Sequence, residues 1–278
     1  MKPLLKWAGG KRWLLPVLQD IWTNLPETRL VEPFTGGMAI ALGLNPAEAL
    51  LNDANIHLVN FYQQVKKGLK IELSFKNNAS FYYEMRDKFN GLVQHRKHKT
   101  KEAAAIFYYL IRTGFNGLCR FNNGGEFNVP FGQHRNIKYK TEFIEYKDLL
   151  KKWDLKHGDF EDLQLQENDF LYADPPYDVE FTKYNTIDFV WEDQRRLANW
   201  LAKHDGPVIA SNQATLRVIK LYKDLKFTVF KLPAPRSISC TGDREPALEI
   251  LALKGFEKNK IKRTKELIKN FAIRITSN

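Results

Sequence analysis

Cysteine is scarce. Cys119 and Cys240 are the two in 278 residues, too few for a disulfide framework and without the spacing of a zinc site, so the expectation is a fold held by its core in a reducing compartment. Long apolar runs are also missing: the longest, 103–111, is far short of the roughly 20 residues that a membrane span needs. No apolar signal core follows the opening Met1-Lys2-Pro3-Leu4-Leu5-Lys6-Trp7. These absences point to a soluble, cytoplasmic protein with no membrane partner and no metal. The glycines of a full G-x-G-x-x-G are missing too, which argues against a nicotinamide dinucleotide.

Positive charge, by contrast, is in excess. Lys and Arg number 43 against 32 Asp and Glu, a formal net charge of +11 with a pI near 9.4. Such a balance suits a polyanionic partner, nucleic acid first, with an unengaged basic surface as the plain alternative. A hydrophobic content of 44% is enough for a sizeable core.

Strand and helix signals alternate. A strand at 30–34 runs into the turn Thr35-Gly36-Gly37, and a helical stretch covers 38–44. A second strand, 49–53, ends on Asp53 and is followed by a helix near 56–62. The alternation then breaks. Two helical segments, 81–93 and 101–113, precede a stretch rich in glycine and asparagine, in which Asn122 to Gly125 reads as the tip of a β-hairpin between 118–121 and 127–129. It resumes with strands at 153–160, 170–173 and 208–211, helices near 191–203 and 216–223, and last strands at 227–232 and 247–253. The expected fold class is α/β with a Rossmann-like, mostly parallel sheet and an inserted, mainly helical unit carrying a hairpin. Its boundaries are 1–66 and 147–255 for the discontinuous core, 67–146 for the insert, and 256–278 for a basic tail read as a solvated helix.

In an open parallel sheet, ligands bind at the carboxyl ends of the strands. The turn Phe34-Thr35-Gly36-Gly37 lets backbone approach a ligand closely. Asp53 follows it by a little under the roughly 20 residues expected of an acid that binds ribose hydroxyls. A plain tight turn is the structural alternative. The stretch Asp174-Pro175-Pro176-Tyr177 is more specific, because it ends the apolar run Phe170-Leu171-Tyr172-Ala173 on a carboxylate. The prolines forbid further strand, and the Pro175 carbonyl beside the Asp174 carboxylate makes two acceptors for the N–H bonds of an exocyclic amine. Tyr177 adds a ring on which a planar base can stack. The alternative is an aspartate capping a helix after a proline turn.

Asp174-Pro175-Pro176-Tyr177, the start Lys6-Trp7-Ala8-Gly9-Gly10-Lys11, and Val31-Glu32-Pro33-Phe34-Thr35-Gly36-Gly37 together resemble the DNA adenine-N6 methyltransferases of the Dam type. The likeness spans nearly the whole chain in the family's order. It includes Asn116-Gly117-Leu118-Cys119-Arg120-Phe121-Asn122 and 125–132 in the insert, and Arg236-Ser237-Ile238-Ser239 before the last strand. Met38 departs from it, since a small residue often follows the glycine pair.

The resemblance implies a catalytic core that binds S-adenosylmethionine, a target-recognition domain at 67–146, double-stranded DNA as partner, and a monomer in solution. It gives the cofactor to Trp7, Lys11, Glu32, Phe34, Gly36, Asp53, Asp159, Phe160 and Asp174, and the chemistry to Asp174, Pro175, Pro176 and Tyr177. Core packing or capping is the structural alternative for Trp7, Asp159 and Phe160. The implied reaction is direct methyl transfer to adenine N6 at GATC, on a base swung out of the duplex. DNA contacts fall to Lys6, Phe115, Asn116, Leu118, Arg120, Pro130, Arg236 and Ser237. Arg120 reads a guanine through O6 and N7, Leu118 and Pro130 lie beside a thymine methyl, and Lys6 reads the first guanine. Phe115 wedges into the stack, and Asn116 bonds phosphate. The rivals are an amino-methyltransferase for cytosine N4 and a DNA-binding module without catalysis.

Overall fold

Apolar residues alternate along the strands, and in the computed structural model this alternation divides the interior between the two faces of one sheet. The structure describes residues 1–25, 28–178, 189–235 and 247–276. In chain order they form α1 (Leu15–Thr23), β1 (Leu30–Glu32), α2 (Ala39–Leu44), β2 (Ala49–Asp53), α3 (Ile56–Lys66), α4 (Ala79–Gln94), α5 (Lys101–Thr113), α6 (Ile144–Leu150), β3 (Trp153–His157) and β4 (Phe170–Ala173). These are followed by α7 (Trp191–Lys203), β5 (Val208–Gln213), α8 (Leu216–Asp224), β6 (Thr228–Ala234), β7 (Ala247–Lys254) and α9 (Lys258–Thr276). The sheet runs β3-β2-β1-β4-β5-β7-β6. It is parallel from β3 to β5, and β7 lies antiparallel to both neighbours. The fold is therefore the expected Rossmann-like α/β arrangement.

Side chains two apart on a strand share a face. On β4, Phe170 and Tyr172 join one cluster with α1, α3 and α5, whereas Leu171 and Ala173 join the other with Leu197 of α7 and Val218 of α8. Polar caps start several of the covering helices. Asn55 accepts from the His57 and Leu58 amides at the head of α3, Thr100 from Ala103 at α5, and Thr215 from Val218 at α8, each worth about 1 kcal/mol. The helices α4 and α5 arise where the sequence predicts them. Phe61 of α3 stacks on Tyr108 of α5 with centroids 5.4 Å apart, so the core of the sheet continues into this segment.

Several expectations need correction. The 118–129 stretch turns as a hairpin does, through Asn122 N to Glu126 O at 2.9 Å and Asn128 N to Arg120 O at 3.1 Å, but it carries one isolated bridge, Phe121 to Phe127, in place of paired strands. Its backbone is spent on side-chain contacts from α4 instead: Asn90 accepts from the Phe127 amide at 2.8 Å, and Tyr82 donates to the Val129 carbonyl at 2.9 Å. The strand expected at 153–160 stops at His157, because Gly158 turns the chain and Asp159 caps a short 3-10 turn. The strand expected at 30–34 ends at Glu32, and Met38 precedes its helix in a left-handed conformation, φ 59°. The terminal helix α9 is docked, not solvated: Thr264 and Ile268 are buried, and the helix packs on α1 and β6. Neither α1 nor α6 is expected from the sequence pattern, and α6 straddles the boundary drawn at 146/147.

Candidate active site

Strand order reverses between β1 and β4, since the chain continues from β1 to β2 on one side and from β4 to β5 on the other. Such a reversal opens a crevice at the carboxyl ends of the two strands. Asp174 emerges there from β4, and the glycine turn emerges there from β1.

The Asp174 carboxylate is held by its neighbours. Ser211 of β5 donates to Oδ1 at 2.7 Å, and the Lys11 ammonium lies 3.4 Å from the same oxygen. Lys11 is only 4% exposed. Its ammonium also donates to the Gly9 carbonyl at 3.0 Å, lies 3.5 Å from Oε2 of Glu249 on β7, and sits 4.6 Å above the Tyr177 ring. Burial raises the pKa of Asp174, and the Lys11 charge and then the Ser211 hydroxyl oppose that rise. Glu249 is raised by burial and opposed by Lys11 in the same way. Burial, reinforced by the Asp174 and Glu249 charges, holds the Tyr177 hydroxyl well above the ordinary tyrosine value. That hydroxyl makes no well-formed hydrogen bond, although both carboxylates lie within electrostatic reach.

The turn after Asp174 is pinned. The Pro176 carbonyl accepts from Gln194 of α7 at 2.8 Å, and the Gln194 side-chain oxygen accepts from Asn212 at 2.8 Å. Asp178 pairs with Arg217 of α8 and accepts from Thr215 at 3.3 Å. Among the described residues no donor meets the buried Pro175 carbonyl. The Pro176 carbonyl is thus consumed by the fold, whereas the Pro175 carbonyl, next to Asp174, takes no donor from the described residues.

The glycine turn is built just as firmly. Oδ2 of Asp53 accepts from the Gly36 amide at 2.9 Å, and Oδ1 accepts from Asn55 at 2.9 Å. Gly36 has φ +44°, and a Cβ there would stand 3.0 Å from Nε1 of Trp7; at Gly37 it would stand 2.9 Å from the Trp7 Cβ. The Trp7 side chain therefore lies against the turn, which brings Trp7, Gly36 and Asp53 into one corner. Glu32 lies beneath it, buried, accepting from the Ala41 amide at 2.7 Å. Burial pushes its pKa up to about 8, a rise that the Ala41 amide opposes and the Asp174 charge adds to. The Thr35 hydroxyl is buried without a partner. A turn that only glycine fits, an aromatic face, a ribose-type acid and an orphan hydroxyl suit an adenosyl group. Asp159 and Phe160 stand one strand over. Asp159 pairs with Arg196 at 3.1 Å, and Phe160 is buried against Phe34 at 5.7 Å between centroids.

Of the residues expected to contact DNA, Lys6 and the 115–120 stretch come together: a Cβ on Gly117 would stand 3.0 Å from the Lys6 side chain. Phe115 is 47% exposed. Asn116 is left-handed, φ 53°, Leu118 is half-buried and Pro130 exposed, and the Phe115 amide donates to the Pro130 carbonyl at 2.9 Å. Arg120 lies along its own turn, donating through Nε to Oδ1 of Asn128 at 2.7 Å and through Nη2 to the Asn128 carbonyl at 3.2 Å. Stacking of Phe121 on His57, 4.9 Å between centroids, and a 3.3 Å hydrogen bond from Asn55 to Cys119 Sγ fasten the base of the turn to α3. Burial pushes the Cys119 thiol up to about 12, which disfavours the thiolate form. Beside this region a cavity of about 820 Å³ is lined by apolar residues, Leu4, Leu5, Trp7, Trp13 and Tyr146 among them, with Lys2, Lys6, Arg12, Arg112, Lys138, Lys140 and Glu145. Arg236, Ser237 and Cys240 lie outside the described residues, as does the rest of 236–246. Among the described residues there is no cluster that could hold a metal, and no helix is long and apolar enough to cross a membrane.

Ser211, Gln194, Asn128 and Glu249 belong to the site without having been expected from the sequence. Glu249 did leave a signal, since it is the lone acid in the apolar strand 247–253; the others became visible only through their partners.

A family model described as D12 class N6 adenine-specific DNA methyltransferase matches residues 7–238. The DNA N-6-adenine-methyltransferase of Escherichia phage P1 is 35% identical over 277 residues, 91% of this chain, although the chain spans about a third of that relative, 35%. The Type II methyltransferase M1.LlaDCHI of Lactococcus lactis subsp. cremoris is 36% identical over 260 residues, 85% of this chain and 89% of its own. The DNA adenine methylase of Escherichia coli strain K12 is 33% identical over 273 residues, 91% of this chain and 95% of its own.

Proposed function

Because the chain belongs to the D12 class of N6 adenine-specific DNA methyltransferases, we propose that it transfers a methyl group from S-adenosylmethionine to N6 of adenine in double-stranded DNA, at GATC, on a base swung out of the helix. The observation that carries the reading is the carboxylate of Asp174, oriented through Oδ1 by Ser211 and Lys11 next to the unspent Pro175 carbonyl.

Trp7, Phe34, Gly36 and Asp53 hold the cofactor, with Glu32 supporting the turn from beneath and Asp159 and Phe160 at its far side. When bound, S-adenosylmethionine would supply an electrophilic methyl group, its methyl–sulfur bond breaking to leave S-adenosylhomocysteine. Everything else falls to the chain's own residues. Swinging the adenine out costs a few kcal/mol of lost stacking and pairing, and the Tyr177 ring, with Lys11 over one side, offers a surface for the extruded base. Asp174 and the Pro175 carbonyl then accept the two N–H bonds of its amine. Those hydrogen bonds discourage delocalisation of the nitrogen lone pair into the ring and aim it outward for in-line attack. Fixed orientation and exclusion of water are the main sources of acceleration. The 67–146 segment acts as the target-recognition domain, with Lys6, Phe115, Asn116, Leu118, Arg120 and Pro130 at the DNA, and the lysines and arginines of the cavity beside Lys6 suit phosphates.

The test is to methylate random-sequence DNA with purified enzyme and sequence it with a readout of modified bases. Modified adenine confined to GATC is expected. Modified cytosine, adenine in unrelated contexts, or no modification would each overturn the reading.

A further inference from the structure

Glu249 has no part in the two acceptors that grip the target amine, yet it is buried within the same cluster. It enters from β7, the antiparallel strand, in register with Gln213 of β5 and Leu232 of β6. Its carboxylate and that of Asp174 both reach the Lys11 ammonium, at 3.5 and 3.4 Å. An ammonium has three N–H donors and no acceptor, and Lys11 has three oxygens around it: the Gly9 carbonyl at 3.0 Å and one oxygen from each acid. A half-buried carboxylate, Asp174, and a buried one, Glu249, share one buried cation, so the ammonium is divided between them. Without Glu249, the whole charge of Lys11 would fall on Asp174, whose Oδ1 already accepts from Ser211 at 2.7 Å.

This division matters to the reaction, because Asp174 has two requirements that conflict. It must stay ionised in a buried site, which calls for a cation nearby. It must also keep acceptor capacity for the target amine, which a tightly bound ammonium would take. A second acid that draws part of the cation away satisfies both. Building on the reading above, we propose that Glu249 is a positioning residue for methyl transfer, which acts through Lys11 by holding its ammonium at ion-pair distance from Asp174 and so leaves that carboxylate free to accept from the amine.

Single-turnover methylation, with cofactor and duplex DNA saturating, tests this in Glu249→Gln, Glu249→Asp, Lys11→Ala and the double variant Lys11→Ala/Glu249→Gln. Glu249→Gln is expected to slow the step about tenfold or more, with the dissociation constants for S-adenosylmethionine and for DNA within about twofold of wild type. Glu249→Asp keeps the charge and is expected to be faster than Glu249→Gln. The double variant is expected to be no slower than Lys11→Ala, since Glu249 acts through the lysine. The proposal is overturned if Glu249→Gln stays within about twofold of wild type, if its loss lies wholly in the dissociation constants, or if it adds in full to that of Lys11→Ala. Wild type, Lys11→Ala, Glu249→Gln and the double variant, unfolded thermally without cofactor, read the coupling of Lys11 and Glu249 independently of activity. Non-additive losses are expected there, and full additivity would overturn the pairing. A wild-type enzyme that methylates no adenine would overturn the proposed function instead.

Discussion

The Ser211 hydroxyl donates a 2.7 Å hydrogen bond to Oδ1 of Asp174, so the neighbouring strand β5 sets the direction of the carboxylate that ends β4. Asp174→Ala removes the acceptor and is expected to abolish turnover while DNA binding largely survives. Ser211→Ala removes the orienting donor, along with the 3.2 Å partner of the buried Tyr172 hydroxyl, and a hydrogen bond to a charged group is worth about 1.5–3 kcal/mol, so a partial loss of rate is expected. Single-turnover rates beside gel-shift affinities check both, and near wild-type turnover in Asp174→Ala would contradict the mechanism.

Glu32 predicts a pH dependence of stability. Its folded pKa, pushed up to about 8 by burial, stands above its ordinary value of 4.5. Between those two values the unfolded chain has released the proton and the folded chain still holds it, so stability falls as pH rises through that window. Glu32→Gln keeps an acceptor for the Ala41 amide and cannot ionise. The variant should therefore gain on wild type between pH 5 and 8, by about 2–4 kcal/mol at the upper end. His57, lowered to about 4 by burial, acts with the opposite sign: its contribution is lost as pH falls through about 6.5 to 4. It is common to both proteins and cancels in the difference. Denaturant unfolding of cofactor-free protein at several pH values measures the effect, and parallel stability curves would contradict it.

Much of this site was legible because its chemistry sits at strand ends, where an acid or a glycine interrupts an apolar run. Asp174, Asp53 and the Gly36 turn were found in that way, and the sheet order puts them on one edge. What the sequence concealed were partners set by tertiary contact. The family resemblance gives Lys11 to the cofactor, and only the fold shows its ammonium between Asp174 and Glu249. The docking of α9 is hidden in the sequence because the segment is lysine-rich with scattered apolar residues, and Thr264 and Ile268, the residues it buries, lie four apart on one face of the helix. The stretch 118–129 looked like paired strands because its alternation is that of a hairpin, yet Asn90 and Tyr82 of α4 take up backbone groups that a ladder would have used.

The excess of positive charge carries a prediction about salt. Lys2, Lys6, Arg12, Arg112 and Lys138 line one cavity beside the recognition stretch, and cations that neutralise phosphates release counterions on binding. Affinity for DNA is therefore expected to fall steeply between about 50 and 200 mM salt, and Arg12→Ala with Lys138→Ala to reduce the log–log slope by about 1 for each phosphate no longer neutralised. Fluorescence anisotropy across a salt series checks this. An unchanged slope in the double variant would move the phosphate-binding surface elsewhere on the molecule.

Sequence preference tests the recognition stretch itself. In the proposed mechanism the two acceptors meet only an amine, so discrimination among sites has to come from side chains that reach base edges outside the pocket. Arg120 is the leading candidate, and Asn128 fixes it: Nε and Nη2 of the guanidinium are turned toward the Asn128 side chain and carbonyl at 2.7 and 3.2 Å. This leaves the other N–H donors of the fork to meet O6 and N7 of a guanine. Arg120→Ala is expected to weaken discrimination at that guanine by about 1–3 kcal/mol, with little change on duplexes already altered at that position. Asn128→Ala keeps the guanidinium but frees it, so a smaller loss in the same direction is expected. Competition between GATC and singly substituted duplexes, read as ratios of kcat/KM, measures both. Unaltered ratios in Arg120→Ala would remove the arginine from the readout, and a loss in Asn128→Ala as large as that in Arg120→Ala would give the asparagine a base contact of its own.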